Sequence, residues 1–147
     1  MILVDTTVWI DFFKGEEIPH VGFLERQIGD GEDLCVCGLI LAEVLQGVRT
    51  DRQYRAVKSH LDNLVYIPMR REIYIDAASI YRSLRRRGIT IRKPIDCMIA
   101  SVAIASDIPL LHNDRDFNPI EKHCGLKTVS CDLYSVASRP LREPTKQ

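Results

Sequence analysis

Short apolar runs alternate along the chain with longer amphipathic stretches. Aliphatic and β-branched residues predict five buried strands, at residues 2–4, 34–37, 65–67, 109–111 and 127–129. The segments between them predict helices, at residues 8–13, 20–29, 39–48, 50–64, 71–87, 94–106 and 119–123. Strands that alternate with helices are typical of a parallel sheet covered on both faces. The pattern therefore predicts an α/β fold, a three-layer α/β/α sandwich with a mostly parallel central sheet.

Several residues indicate where helices begin and end. Thr50 and Gln53 have the spacing of a capping box, which predicts a helix start. Thr6 and Thr7 are predicted to cap the first helix, and Gly88 is predicted to end the helix that begins near residue 71.

The length of 147 residues fits one domain of ordinary size. We expect that domain to span residues 1–138, because residues 139–147 contain two prolines and mixed charge and predict a loose tail. No apolar run approaches the roughly 18 residues that cross a membrane. Asp5 also interrupts the apolar residues that a secretory leader needs. These features predict a cytoplasmic protein with no membrane segment.

The charge and the cysteines exclude some classes of protein. Twenty basic residues balance twenty acidic ones, so the chain lacks the bulk charge of a protein that coats nucleic acid. The five cysteines are odd in number and have no disulfide spacing, which favours reduced, buried thiols. The alternative is a zinc site that uses His123 or Cys124. No phosphate-binding glycine loop, nucleophile elbow or H-E-x-x-H pair is present.

Isolated carboxylates stand in otherwise uncharged segments. Asp5 follows the first strand, Glu43 is the one charge in residues 34–48, and Asp96 is the one charge in residues 94–106. Asp114 and Asp116 follow the strand at residues 109–111. Ligands of parallel sheets collect outside the carboxyl ends of the strands. Because a desolvated carboxylate is costly unless it is paired or bound to metal, these acids together predict an acidic pocket at that edge.

Each acid also has a purely structural interpretation. Asp5 is placed to cap a helix, Asp96 to sit in the first turn of one, and Asp114 to form a turn. Glu43 lies in the middle of a helix, where the alternative is a buried ion pair with a distant arginine. The joint interpretation is a site for a hard divalent cation such as Mg²⁺, which takes oxygen ligands and substrate phosphates.

The segment between Ala77 and Ile95 contains basic residues and no acid. Its candidate nucleic-acid contacts are Arg85, Arg86, Arg87, Arg92 and Lys93. Because the segment leads directly to Asp96, it is placed to hold a phosphate backbone against the acidic pocket. The alternative is a solvated helix face.

Four motifs, in this order and spacing, resemble those of the PIN-domain ribonucleases, specifically the VapC toxins of prokaryotic toxin–antitoxin pairs. The resemblance covers nearly the whole chain. The motifs are Val4-Asp-Thr-Thr-Val-Trp-Ile-Asp11, Leu41-Ala-Glu-Val-Leu-Gln-Gly47, Pro94-Ile-Asp-Cys-Met-Ile-Ala100 and Leu110-Leu-His-Asn-Asp-Arg-Asp-Phe117. His112 departs from the family, which commonly has threonine there.

The resemblance implies an endoribonuclease that uses one or two Mg²⁺ or Mn²⁺ ions to cleave RNA by metal-assisted hydrolysis, leaving a 3′-hydroxyl and a 5′-phosphate. It implies that Asp5, Glu43, Asp96 and Asp114 are the catalytic, metal-binding acids. Asp116 would be an additional acid near a second metal, and Thr7 the hydroxyl that orients Asp5. It further implies a homodimer that a cognate VapB-like antitoxin neutralises.

Two other functions stay open from the sequence. A haloacid-dehalogenase-like Mg²⁺ phosphatase also uses strand-end aspartates, but it needs an Asp-x-Asp motif, whereas Thr6 and Thr7 follow Asp5. A catalytically inactive PIN-like module that binds RNA or a partner protein is the second alternative, although all four acids are intact.

Overall fold

Four parallel strands form the central sheet of the computed structural model, which describes residues 1–132. The strands are β1 (Ile2–Val4), β2 (Leu34–Cys37), β3 (Val65–Ile67) and β4 (Leu110–Leu111). Their lateral order is β3-β2-β1-β4. The predicted strand at residues 127–129 is reduced to one parallel bridge between Thr128 and Leu110, because β4 offers only two residues for pairing. The predicted domain end at residue 138 and the tail at 139–147 lie outside the described residues.

Seven α-helices connect and cover the strands within residues 1–132. They are α1 (Thr6–Lys14), α2 (Pro19–Gly29), α3 (Gly38–Gln46), α4 (Asp51–Asp62), α5 (Arg71–Arg86), α6 (Pro94–Ala105) and α7 (Asn118–Cys124). A 3-10 turn over Arg115–Phe117 precedes α7.

The helix boundaries follow local chemistry, with one correction. The Thr50 hydroxyl accepts a hydrogen bond from the Gln53 backbone N–H at 3.2 Å, as the capping box predicted. At α1, however, the capping residue is Asp5, so the prediction that Thr6 and Thr7 cap this helix was wrong. Thr6 is already helical, and the Asp5 carboxylate accepts the free N–H of the first turn.

The strand order reverses direction at β1, since β2 and β3 lie on one side of it and β4 on the other. Right-handed crossovers then place α1–α4 on one face of the sheet and α5 and α6 on the opposite face. Contacts between α1 and α3 and between α5 and α6 agree with this division. The predicted three-layer α/β/α sandwich is confirmed. In parallel sheets such a reversal opens a crevice outside the carboxyl ends of the two strands beside it, which here are β1 and β4.

Candidate active site

The hydroxyl group of Thr7 links the segments that follow β1 and β4. Asp5 is buried, and its Oδ2 accepts hydrogen bonds from the Thr7 backbone N–H at 3.1 Å and from the Thr7 hydroxyl at 2.7 Å. The same hydroxyl accepts a hydrogen bond from the Asn113 backbone N–H at 3.2 Å. Thr7 therefore fixes the rotamer of Asp5 and ties it to the loop that carries Asp114.

Three aspartates converge beside this link and form what we call the acidic cluster: Asp96, Asp114 and Asp116. One carboxylate oxygen from each lies within 4.8 Å of the other two. Asp96 comes from the first turn of α6, while Asp114 caps the 3-10 turn by accepting from the Asp116 backbone N–H at 2.9 Å. The structural roles expected for Asp5 and Asp114 as capping residues are thus real, and the capping geometry is also what orients these carboxylates.

Asp96 is the acid of the cluster that has a buried carboxylate oxygen without a hydrogen-bond partner. It is 4% exposed, and its Oδ2 is buried without a hydrogen-bond partner. Burial raises the pKa of its carboxyl to about 7, Lys93 opposes that rise, and Asp114, Asp5 and Asp116 add to it by repulsion. A buried carboxylate oxygen without a donor, facing two other carboxylates, is suited to bind a hard cation. The donor set therefore fits a divalent metal ion.

Asp5 shares this environment. Burial raises the pKa of its carboxyl above the ordinary value, although both hydrogen bonds from Thr7 act in the opposite direction. Asp5 is not one of the three acids of the cluster, but its charge also contributes to the raised pKa of Asp96.

Two basic side chains face the acidic cluster. The Lys93 ammonium Nζ lies 2.7 Å from Asp114 Oδ2 and 3.7 Å from Asp96 Oδ2. An Arg92 Nη atom lies 3.2 Å from Asp116 Oδ1. Burial is the largest single influence on Asp114 and would raise its pKa. The hydrogen bonds from Lys93 and the Asp116 backbone N–H, together with nearby positive charge, outweigh burial, so the pKa falls. The sequence placed these cations next to Asp96 but gave no sign that they pair with the acids.

Glu43 is tied to α1 and is not one of the three acids of the cluster. It is partly buried on α3, and its Oε1 accepts a hydrogen bond from the Thr6 hydroxyl at 2.9 Å. Its partner is therefore a threonine on α1 rather than the distant arginine considered from the sequence. Thr6 precedes Thr7, so adjacent residues of α1 hold Glu43 and Asp5.

His112 has a structural task that the sequence did not reveal. Its Nδ1 accepts a hydrogen bond from the Asp114 backbone N–H at 3.2 Å, and its ring lies 4.9 Å from that of Phe117. Burial lowers the pKa of the imidazole. The neutral ring thus supports the loop that carries Asp114. The feature of the sequence that could have indicated this role is a histidine that follows a buried strand and precedes an aspartate by two residues.

The predicted basic segment divides into two parts. Arg85, Arg86 and Arg87 are exposed at the carboxyl end of α5, and Arg87 acts electrostatically on His123 of α7. Arg92 and Lys93 lie instead at the acidic cluster. A role for these five residues in binding nucleic acid stays a prediction.

The five cysteines are free thiols, and four of them are buried. Among residues 1–132, the acidic cluster is the one group of His, Cys, Asp or Glu side chains that could hold a metal ion. His123 and Cys124, which the zinc alternative would use, are not part of it.

Residues 2–122 match the family model of the PIN domain. This chain belongs to the PIN domain family. It is 30% identical over 132 residues to Ribonuclease VapC11 of Mycobacterium tuberculosis, a match that covers 88% of this chain and 98% of the relative. It is 32% identical over 128 residues to Ribonuclease VapC1 of Methanocaldococcus jannaschii, covering 86% of this chain and 85% of the relative.

Solved structures with this PIN domain fold include two DNA-bound VapBC proteins. VapBC2 from Rickettsia felis, bound to a DNA fragment from its promoter, superimposes with a TM-score of 0.70 at 19% identity, covering 88% of this chain and 98% of that one. DNA-bound VapBC from Salmonella typhimurium gives a TM-score of 0.69 at 22% identity, covering 87% and 96%. Within residues 1–132 of the PIN domain described here, no helix has the length and apolar character to cross a membrane.

Proposed function

We propose that this PIN domain is a metal-dependent endoribonuclease that hydrolyses phosphodiester bonds in RNA and acts as the toxin of a toxin–antitoxin pair. The observation that carries the proposal is the acidic cluster, with a buried Asp96 oxygen that has no donor, at the crevice between β1 and β4. The support from relatives is the 30–32% identity to VapC ribonucleases over most of their lengths.

The residues proposed to hold one or two Mg²⁺ or Mn²⁺ ions are Asp5, Glu43, Asp96, Asp114 and Asp116. A bound ion would supply the positive charge that carboxylates cannot offer to a phosphodiester and would lower the pKa of an attacking water. The chain itself positions these ligands: Thr7 holds Asp5, Thr6 holds Glu43, and His112 supports the Asp114 loop. This fixed arrangement lowers the reorganisation needed when substrate binds.

The proposed partners are the RNA substrate and a VapB-like antitoxin. Solved structures of the same fold include VapBC proteins and a toxin–antitoxin complex from Klebsiella pneumoniae, which supports an antitoxin as the neutralising partner. A homodimer, which the family resemblance implies, is part of the same proposal. We also propose that the domain ends near residue 138.

RNA cleavage with and without metal tests the proposal. Wild-type protein should cut single-stranded RNA with Mg²⁺ or Mn²⁺ and stop cutting when EDTA is added. Asp96→Asn should abolish cleavage. Asp62→Asn is the matched control, since Asp62 is exposed in a surface ion pair with Lys58, and it should cut at the wild-type rate.

The products separate the rival functions. Mapped RNA fragments with 5′-phosphate ends support the nuclease. Release of inorganic phosphate without new internal ends would indicate a phosphatase instead. Binding of RNA without cleavage in either metal would indicate an inactive PIN module and would refute the proposal.

A further inference from the structure

The acidic cluster already holds a cation that belongs to the chain. Lys93 Nζ lies 2.7 Å from Asp114 Oδ2 and 3.7 Å from Asp96 Oδ2, so one ammonium group stands between two of the three carboxylates. Asp114 and Asp96 expose 16% and 6% of their side chains, whereas Lys93 exposes 51%. The acids are therefore fixed in the protein, and the cation reaches them from the solvent side.

A metal ion and this ammonium group would compete for the same two carboxylates. A divalent cation of the Mg²⁺ type binds carboxylate oxygens at about 2.0–2.1 Å. An ion held by Asp96 and Asp114 would therefore lie close to the Lys93 ammonium group, which contacts both side chains. The ion and the ammonium group are both positively charged, and two such charges repel strongly at close range in a partly buried site. The long, half-exposed side chain of Lys93 has room to leave toward solvent.

The buried Asp96 oxygen shows that the ammonium group satisfies this site incompletely. Its distance of 3.7 Å to Asp96 Oδ2 allows an ion pair but not a hydrogen bond, and that oxygen has no other donor. A small cation that enters more deeply would satisfy both carboxylates, which Lys93 does not do.

We propose that Lys93 is a built-in counter-cation of the acidic cluster, which neutralises Asp114 and Asp96 in the metal-free protein and must be displaced when a divalent cation binds. The inference rests on the metal site of the proposed function and adds a residue that lowers metal affinity. Lys93 thereby stabilises the metal-free protein and weakens metal binding.

Calorimetric titration with Mn²⁺ at pH 8, in the absence of RNA, tests the inference. Lys93→Met keeps an unbranched side chain of similar length and removes the charge. This variant should bind Mn²⁺ about three- to tenfold more tightly than wild type, since no charge-assisted ion pair is broken. Lys93→Arg keeps the charge and should bind close to the wild-type constant. Lys58→Met removes an ion pair of similar length, 2.8 Å to Asp62, away from the cluster and should change nothing.

Thermal melts in EDTA give a second readout. Lys93→Met should melt at a lower temperature than Lys58→Met, because the neighbouring carboxylates of Asp96 and Asp114 lose their counter-charge. If Lys93→Met does not fold, Lys93→Gln replaces it in both measurements with the same expected directions.

The outcomes distinguish this inference from the proposed function. If wild type binds Mn²⁺ and the uncharged variant binds it equally or more weakly, the inference is overturned and the metal site stands. If neither protein binds Mn²⁺, the metal site and the inference both fail. Tighter binding of Mn²⁺ by the uncharged variant than by wild type supports the inference, even where binding to wild type is too weak to measure.

Discussion

Replacement of Asp96 by asparagine should stabilise the metal-free protein while it removes a proposed catalytic group. Asparagine keeps the shape of the side chain and removes one of the charges that repel one another at the crevice. The prediction follows from burial, since Asp96 is 4% exposed and its Oδ2 has no hydrogen-bond partner. Loss of stability is the usual result of substitution at a buried residue, so a gain would be informative.

The magnitude follows from the pKa of Asp96, which lies at about 7 in the folded protein against an ordinary value of 3.8. Each pKa unit corresponds to about 1.4 kcal/mol, so ionisation of Asp96 in the fold costs at most about 4 kcal/mol at pH 8. Asparagine loses the attraction of Lys93 and buries an amide, which leaves an expected gain of about 1–3 kcal/mol.

The effect should depend on pH in a defined direction. Between pH 3.8 and about 7 the folded state retains a proton on Asp96 that the unfolded chain releases. The stability that this proton provides is therefore present at low pH and is lost as the pH rises through about 7. The advantage of Asp96→Asn should be largest at pH 8 and clearly smaller at pH 5.

Urea unfolding of wild type and Asp96→Asn measures these differences, with EDTA at both pH values and with Mg²⁺ at pH 8. Mg²⁺ should stabilise wild type by mass action and stabilise the variant less. If Asp96 were instead a partner in a buried ion pair, the variant would lose about 3–5 kcal/mol. Such a loss, together with no effect of Mg²⁺ on wild type, would refute the metal-site reasoning.

Three other predictions address the basic residues, the loop link and toxicity. Alanine at Arg85, Arg86 and Arg87 together should weaken RNA binding across sequences and flatten its salt dependence; unchanged affinity and slope would indicate a solvated helix end. Thr7→Val should cost about 1–2 kcal/mol in urea unfolding and slow RNA cleavage, because Asp5 and the Asn113 loop lose a shared hydroxyl, whereas Thr7→Ser should retain both. Expression of the protein alone should arrest growth and Asp96→Asn should not; equal arrest by an equally abundant, folded variant would contradict the nuclease account.

Local patterns in the sequence determined the elements and the edge at which the acids gather. Each of the four strands was predicted within a residue of its observed bounds, because short β-branched runs and turn residues act over a few positions. Asp5 follows β1 directly and Asp114 lies three positions after the end of β4, so the parallel arrangement alone places them at one edge of the sheet. The family motifs rest on the same local stretches, which is why the resemblance could be drawn before any contact was known.

The tertiary structure decided which charges meet. Lys93 pairs with Asp114 and Arg92 with Asp116, although 21 and 24 positions separate them in the chain. These contacts exist because β4 lies beside β1 and brings its loop against the start of α6. A run of basic residues looks the same in the sequence whether it faces solvent, a phosphate backbone or neighbouring carboxylates. The energy of an ion pair depends on the distance between the charges and on their burial, and only the packing of the sheet and helices sets both.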